Sequence, residues 1–298
     1  MARKRLRAPF WWFGGKGKMS AKLLNLLPGH RTYVEPFCGA ASLFFAKDPA
    51  EVETLNDLHS GIHNLFSVLR DHGAAFLQLA ELTPYSRELY VECLSTWAEE
   101  PDPVRRAWQW WFVACSSFSG RWGAGYGSNV GKSSGGMVST CDQFTARIGT
   151  LPAITERLRK AQIEQVDGVY CLERYCTDDG LAYVDPPYVA STRRAGEYEH
   201  EFTDTDHERL VTALLALPGR FVVSGYAHAA YTPLLEAGWT QVDYDTGCFA
   251  AGRVRNSSLQ GKGSVMAKQP RTESVWLDPV TAAEKADAIA STQGCLAL

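Results

Sequence analysis

The sequence predicts an α/β fold with a mostly parallel sheet and a mainly helical insertion, on three observations. Short apolar runs end repeatedly in an acid: Val52 to Leu55 before Asn56-Asp57, the run from Ala161 before Asp167, and Leu181 to Val184 before Asp185. A strand, a glycine-containing loop and a helix follow one another between residues 32 and 47, the unit from which open α/β sheets are built. Between about Asp71 and Lys160 this alternation gives way to helical patterns and a Gly/Ser-rich stretch. Three strands closed by Asp57, Asp167 and Asp185 would set those acids along one edge of the sheet, where open α/β sheets bind ligands.

The first element is Trp11-Trp12-Phe13-Gly14-Gly15-Lys16-Gly17-Lys18, opening into the helical pattern Ala21 to Leu27 and stopped by Pro28-Gly29. Backbone N–H groups of Gly14 and Gly15 ahead of a helix can approach an anion such as a ligand carboxylate. Thr32-Tyr33-Val34 reads as a strand, Glu35-Pro36-Phe37-Cys38-Gly39 as a loop and Ala40 to Lys47 as a helix. This unit carries one of the three fingerprint glycines of a dinucleotide site, and Glu35 sets the sign of its ligand. A carboxylate there repels a pyrophosphate and favours the ammonium or sulfonium of S-adenosylmethionine. Asp57 follows Gly39 by 18 residues, close to the spacing of about 20 at which an acid meets a ribose. It also fits an N-cap for the helix His59 to Leu69, a compatible role.

Helices over Ala74 to Leu82, Arg87 to Glu99 and Pro103 to Phe118 come next, with Trp108 to Phe112 expected in the core. They lead into Ser119 to Asn129 and Lys132 to Ser139, a long Gly/Ser loop bearing Arg121, Trp122, Tyr126 and Lys132. Cations for phosphates with aromatics for wedging or stacking suit a nucleic-acid-reading insertion, the bland alternative being a surface loop whose aromatics pack locally. Gly131-Lys132-Ser133 is no Walker loop, because Tyr126 stands where its first glycine belongs and no strand precedes it.

The sheet resumes with a strand over Ala161 to Asp167 and the strand into Asp185. Thr205 and Glu208 form a capping-box pattern for the helix His207 to Leu217, and the strand Phe221 to Ser224 follows. His200, Asp204, Asp206 and His207 are explained by a helix start and a satisfied surface better than by a metal. Final strands at Gln241 to Tyr244 and Ser274 to Leu277 bracket a basic stretch, Arg253 to Lys268, in which Arg253 and Arg255 are the competing nucleic-acid contacts. The tail from Ala282 is expected to be peripheral.

Composition bounds these readings. With 298 residues, 45% of them hydrophobic, the chain can bury a full core and hold one large domain plus an insertion. Its eight cysteines show no Cys-x-x-Cys pair and no zinc spacing, so free thiols are expected. The basic start lacks an apolar run, no stretch approaches a membrane span, and a reducing cytoplasm is expected. A net charge of −3 argues against indiscriminate nucleic-acid binding and leaves room for local basic surfaces.

Asp185-Pro186-Pro187-Tyr188 carries the chemistry. Neither proline has an N–H, so the turn offers acceptors: the Asp185 carboxylate and the Pro186 carbonyl. Both protons of an exocyclic amine can be held there, freeing the nitrogen lone pair for an electrophile while Tyr188 stacks on the ring. A nucleobase amine fits; a polyproline-type surface turn is the bland reading.

These motifs, in this order over roughly residues 8 to 280, resemble the Dam-like DNA adenine methyltransferases, a group with many phage and prophage members. They are aromatic-x-Gly-Gly-Lys (Trp12 to Lys16), Glu-Pro-Phe-x-Gly (Glu35 to Gly39), Asn56-Asp57, the strand-end Asp167, Asp-Pro-Pro-Tyr and the segment His200 to Tyr226. The resemblance implies a Rossmann-like, S-adenosylmethionine-dependent methyltransferase sheet of seven strands, one antiparallel. It implies a catalytic domain over 1–60 and 161–280, a target-recognition insertion over 61–160 and a tail over 281–298. It also implies that Trp12 and Lys16 help hold the cofactor, that Glu35, Phe37 and Gly39 line its methionine end, and that Asp57 takes the ribose and Asp167 the adenine. Cys38 and Ala41 depart from it where a second glycine is common, as does Trp11 ahead of the usual aromatic. The expected protein is a monomer acting on double-stranded DNA in a bacterial or phage-infected cell, without a metal and with the target base flipped. GATC as its target sequence rests on the resemblance alone. Two other readings stay open: an RNA or protein amino-methyltransferase, which would usually carry Asn in place of Asp185, and a non-catalytic DNA-binding relic of the same fold.

Overall fold

The computed structural model describes residues 5–12, 14–129, 131, 139–188, 202–247 and 270–290, and the side chains of all but Lys18, Thr246, Gly247, Pro270 and Arg271 among them. Its frame is a sheet of seven strands, β1 (Thr32–Glu35), β2 (Val52–Asn56), β3 (Ala161–Glu164), β4 (Gly180–Val184), β5 (Arg220–Gly225), β6 (Thr240–Gly247) and β7 (Pro270–Leu277), in the order β3-β2-β1-β4-β5-β7-β6. All neighbours are parallel except β7, which runs antiparallel to both β5 and β6. From β1 the chain winds outward through β2 and β3 on one side and continues with β4 and β5 on the other. The crevice between β1 and β4 is therefore the switch point at which an open sheet binds ligands.

Strand burial follows the pleat. Tyr33, Leu55, Leu181, Tyr183, Val222 and Val275 enter one core, whereas Val34, Ala182, Val184, Phe221, Val223 and Trp276 enter the other. β4 is buried along its whole length, as a strand covered on both faces must be. The second core is closed by α9 (Gly168–Tyr175), α10 (Asp204–Ala216) and α11 (Thr232–Glu236).

The first core is closed by α1 (Ser20–Leu26), α2 (Ser42–Ala46), α3 (Ser60–Asp71), α4 (Gly73–Glu81), α5 (Arg87–Thr96), α6 (Pro103–Ser116), α7 (Ser139–Ile148) and α8 (Leu151–Leu158). On α6, Trp110, Trp111 and Phe112 are fully buried, and Phe10 meets Trp110 edge-on at 5.0 Å, so the irregular N-terminal segment, α6 and the sheet share one core. The short α12 (Pro279–Glu284) and Ile289 pack on it too, so the segment expected to be peripheral is seated.

A buried charge ties α8 to the sheet. Glu53 on β2 is held by Lys47 at 2.6 Å and by both terminal nitrogens of Arg157, whose guanidinium also lies over the Phe44 ring. Side chains of all three are at most 3% exposed, so the cluster is sealed.

Two expectations about helix starts are corrected. The capping box of α10 is Thr203 with Asp206, two residues before the predicted pair. That register lets Phe202 pack edge-on against His207 at 4.7 Å, a staple that the later start would lose. His207 is consequently buried, its Nδ1 2.9 Å from the Tyr231 hydroxyl, and burial pushes it down to about 4. The cap of α3 is His59, whose Nδ1 accepts from Gly61, and not Asp57. The six described cysteines are free.

Candidate active site

A cleft of about 1020 Å³ opens at the β1/β4 switch point. Around it stand Trp12, Gly14, Gly15, Lys16, Glu35, Phe37, Gly39, Asp57, Asp167, Asp185, Pro186, Pro187 and Tyr188, together with Arg121 and Trp122 of the inserted loop. Fifteen positions singled out from separate stretches of sequence thus meet in one concavity.

Its floor is the loop after β1. Gly39 adopts φ +48°, and a Cβ there would lie 2.9 Å from the Trp12 ring, so the loop closes against Trp12 only because this residue has no side chain. Gly15 donates its N–H to the Trp12 carbonyl at 3.1 Å and tightens the turn that carries Lys16. Asp57 braces the floor: one oxygen accepts the Gly39 N–H at 2.8 Å, the other the His59 N–H at 2.9 Å. The carboxylate also borders the cleft.

Glu35, 2% exposed, accepts from the Tyr33 hydroxyl and the Phe44 N–H through the same oxygen. Burial pushes its carboxyl up to about 7 against those two hydrogen bonds and the nearby Lys47. A cationic ligand would hold it ionised.

Asp167 caps α9, accepting the Tyr170 N–H, and pairs with Arg209 at 2.5 Å. Phe37 packs edge-on to Phe202, and Gly168 sits flat against the Phe37 ring, where a Cβ would be 2.3 Å from it. Asn56, read in the sequence only as a neighbour of Asp57, locks the three strand-end loops together. Its amide donates to the Pro36 and Val166 carbonyls, its Oδ1 accepts the Val166 N–H, and its carbonyl takes the Cys38 N–H.

Asp185 extends β4 into a buried polar cluster. Lys16, expected to hold the cofactor, turns its ammonium to Asp185 at 2.6 and 2.8 Å and to the Tyr188 hydroxyl at 2.6 Å. Ser224, at the end of β5, donates to Asp185 Oδ1 at 2.9 Å and is itself held by the Tyr183 hydroxyl. Glu273 on β7 accepts the Tyr188 hydroxyl at 2.5 Å and lies 3.2 Å from the Lys16 ammonium. Burial works against the charge of Lys16, but Asp185 and then Glu273 hold it above the ordinary lysine range. Burial also raises the Asp185 carboxyl, with Lys16 opposing and Glu273 adding to the rise. The Tyr188 ring borders the cleft and leans on Tyr226 at 4.3 Å. Glu273, Ser224 and Tyr226 were not anticipated as site residues; a period-two strand pattern gives no hint that its polar members meet a tetrapeptide far away in sequence.

The inserted loop is a braced turn. Ser117 and Tyr126 form an antiparallel bridge, Phe118 N–H bonds to the Gly125 carbonyl, and the Tyr85 hydroxyl donates to the Gly127 carbonyl. Trp122 donates to the Trp110 carbonyl and meets the Trp97 ring edge-on at 5.5 Å, while Arg121 to Ala124 border the cleft. Tyr126 lies apart from the cleft, its hydroxyl on the Tyr85 carbonyl and its ring under the Arg87 guanidinium at 4.8 Å. Phe118, not singled out from the sequence, is 57% exposed on this turn, and Ser119 beside it has φ +57°. Lys132, Arg253 and Arg255 lie outside the described residues. Among the described residues no three His, Cys, Asp or Glu side chains form a metal-ligating group, and no helix is long and apolar enough to cross a membrane.

Comparison with known proteins places the chain in a family. A family model described as D12 class N6 adenine-specific DNA methyltransferase matches residues 12–237. A DNA adenine methylase of Vibrio cholerae (classical Ogawa 395) is 27% identical over 121 residues, 39% of this chain and 43% of that protein. The DNA adenine methylase of Escherichia coli K12 is 30% identical over 108 residues, 35% of this chain and 38% of its own. The matched stretches thus span about two fifths of the length of these relatives.

Proposed function

The chain belongs to the D12 class N6 adenine-specific DNA methyltransferases, and on that premise we propose that it moves the methyl group of S-adenosylmethionine to the exocyclic amino nitrogen of an adenine flipped out of duplex DNA. The observation that carries this reading is the acceptor state of Asp185. Oδ1 already takes bonds from Lys16 and Ser224 and Oδ2 one from Lys16, so one lone pair remains, on Oδ2. An amine N–H donated there, with its second N–H on the Pro186 carbonyl, draws the nitrogen lone pair out of the ring's conjugation. When bound, S-adenosylmethionine supplies an electrophilic methyl group on a sulfonium. As the adenine nitrogen gained that methyl group and became cationic, Asp185 would hold it in place and would be the base that takes up its surplus proton.

The cofactor fits the rest of the cleft. Glu35 opposes a pyrophosphate and matches a cationic ammonium or sulfonium, while Asp57, also bordering the cleft, is the carboxylate for the ribose hydroxyls. Trp12, Gly14, Gly15, Phe37, Gly39 and Asp167 complete its surroundings, Asp167 on the side of the cofactor adenine. Lys16 serves Asp185 first and the cofactor only through it. Extracting the base costs a few kcal/mol, and stacking on Tyr188 returns roughly 1–3 kcal/mol of it. In this reading the braced turn carrying Phe118, Arg121 and Trp122 meets the duplex, with Lys132 on a phosphate and with Arg253 and Arg255 as a second contact. The protein acts as a monomer in the cytoplasm.

Sequencing, with modified-base detection, of DNA from cells expressing the chain tests this. N6-methyladenine at one short motif is expected, and in Arg121→Ala the motif relaxes at one base pair with a loss of about 1–3 kcal/mol on the preferred site. DNA without modified adenine, with methyl transfer to RNA or peptide instead, would replace the substrate. An unchanged motif in Arg121→Ala and a relaxed one in Arg255→Ala would move the reader to the C-terminal stretch.

A further inference from the structure

The polar cluster at Asp185 contains an excess of charge that the reaction as described above does not use. Lys16, 6% exposed, sits between two carboxylates, Asp185 and Glu273, and bonds to the hydroxyl that bridges it to the second. With Asp185 alone, an ammonium at 2.6 Å would cancel the very charge that makes this carboxylate a good partner for an amine turning cationic. A second buried carboxylate on the far side of the same lysine leaves the cluster one negative charge in excess.

We propose that Glu273 is a positioning residue for the methyl transfer, acting through Lys16 and the Tyr188 hydroxyl to keep the cluster net negative at the nitrogen that becomes positive. The inference rests on the methyl-transfer reading above. Glu273 lies behind Lys16 and Tyr188 and does not line the cleft. Its place is secured by the fold: β7 is inserted antiparallel between β5 and β6, and the residue precedes Ser274, the register partner of Gly225 at the end of β5. Its side chain is 7% exposed, and a carboxylate so enclosed is retained at a cost unless the field it produces is used.

The pH dependence separates this role from packing. Among the described residues, the charged and titratable groups facing Asp185 are Lys16, Glu35, Tyr183, Tyr188, Tyr231 and Glu273. Of these, Lys16 lowers the Asp185 carboxyl and Glu273 raises it. Removing the Glu273 charge therefore lowers it, and the acid limb of the rate profile, where Asp185 loses its ability to accept, moves to lower pH.

The test is single-turnover methylation of duplex DNA by the full chain with saturating S-adenosylmethionine, for wild type, Glu273→Gln and Glu273→Asp, over the pH range in which all three stay folded. Glu273→Gln, which keeps the acceptor for Tyr188 and loses the charge, should slow transfer about tenfold or more while cofactor and DNA affinities stay within about twofold. Its acid limb should move to lower pH. Glu273→Asp should recover most of the rate and the wild-type limb, which also keeps the test open should the glutamine variant misfold. A Glu273→Gln rate within about twofold of wild type overturns the inference, as does a slower rate with an unmoved limb. Equal impairment of both variants overturns it as well. If wild type transfers no methyl to DNA at all, the activity falls and the inference with it; an active wild type beside an unaffected Glu273→Gln removes the inference alone.

Discussion

Two buried ionic clusters flank the loop after β1, and they are opposites. Lys47, Glu53 and Arg157 set two cations around one carboxylate, sealed beneath α8. Lys16, Asp185 and Glu273 set two carboxylates around one cation, beside a cleft that Lys16 and Asp185 border. The first is sealed, its carboxylate bonded to Lys47, Arg157 and the Ala50 N–H away from the cleft; the second leaves an Asp185 lone pair beside a cleft and one negative charge in excess. Sealed, a buried ion group acts as a staple. Opened to a cleft and left one cation short, the same residue types are placed to act as the reagent proposed for Asp185. Glu35 lies within the field of both, lowered by Lys47 and raised by Asp185.

The sharpest way to break this contrast is Glu53→Gln. It should lower stability by about 3–5 kcal/mol, because Arg157 and Lys47 are left buried with too little countercharge, and leave the methylation rate per folded molecule nearly unchanged. Denaturant unfolding and single-turnover assays together check it; a stable but inactive variant would erase the distinction between staple and reagent. Asp185→Ala should do the reverse, lowering turnover at least about 10²-fold with calorimetric cofactor affinity nearly intact. A loss under tenfold would remove Asp185 from the chemistry.

Glu35 sharpens the comparison through pH. Burial raises its carboxyl to about 7, and a cationic cofactor binds the ionised form better. Affinity should accordingly be greatest above about 7 and fall as pH drops below it, by up to about tenfold per pH unit, with a proton released on binding near neutrality. Glu35→Gln should bind more weakly and without this dependence. Calorimetry in buffers of differing ionisation enthalpy measures both; proton uptake in place of release would contradict the sign.

How much of this could be read in the sequence depends on how local each cause is. Strand ends, loop glycines and the acids after them are short-range signals, and Glu35, Asp57, Asp167 and Asp185 all reach the cleft. The α10 start was misread by two residues because Thr203 with Asp206 and Thr205 with Glu208 both fit the capping pattern, and the packing of Phe202 on His207 decides between them. Tyr126 looked like a base-reading aromatic for the same reason that it serves as a brace: its partners Tyr85 and Arg87 belong to another element. Partners of Lys16 were illegible, since Asp185 is 169 residues away and a lysine after two glycines equally suits an anionic ligand. Glu273 was hidden by topology, because nothing in a strand pattern says that the last strand enters the sheet beside β5.

That late entry has a consequence for the protein during its own synthesis. Tyr188 leaves the ribosome 85 residues ahead of Glu273, an interval of roughly 4–17 s at ordinary elongation rates. Throughout it β5 lacks its antiparallel neighbour, and Lys16 has one carboxylate where the finished protein gives it two. A nascent chain thus holds Lys16, Asp185 and Tyr188 before it holds Glu273, so the excess negative charge of the cluster arrives with β7.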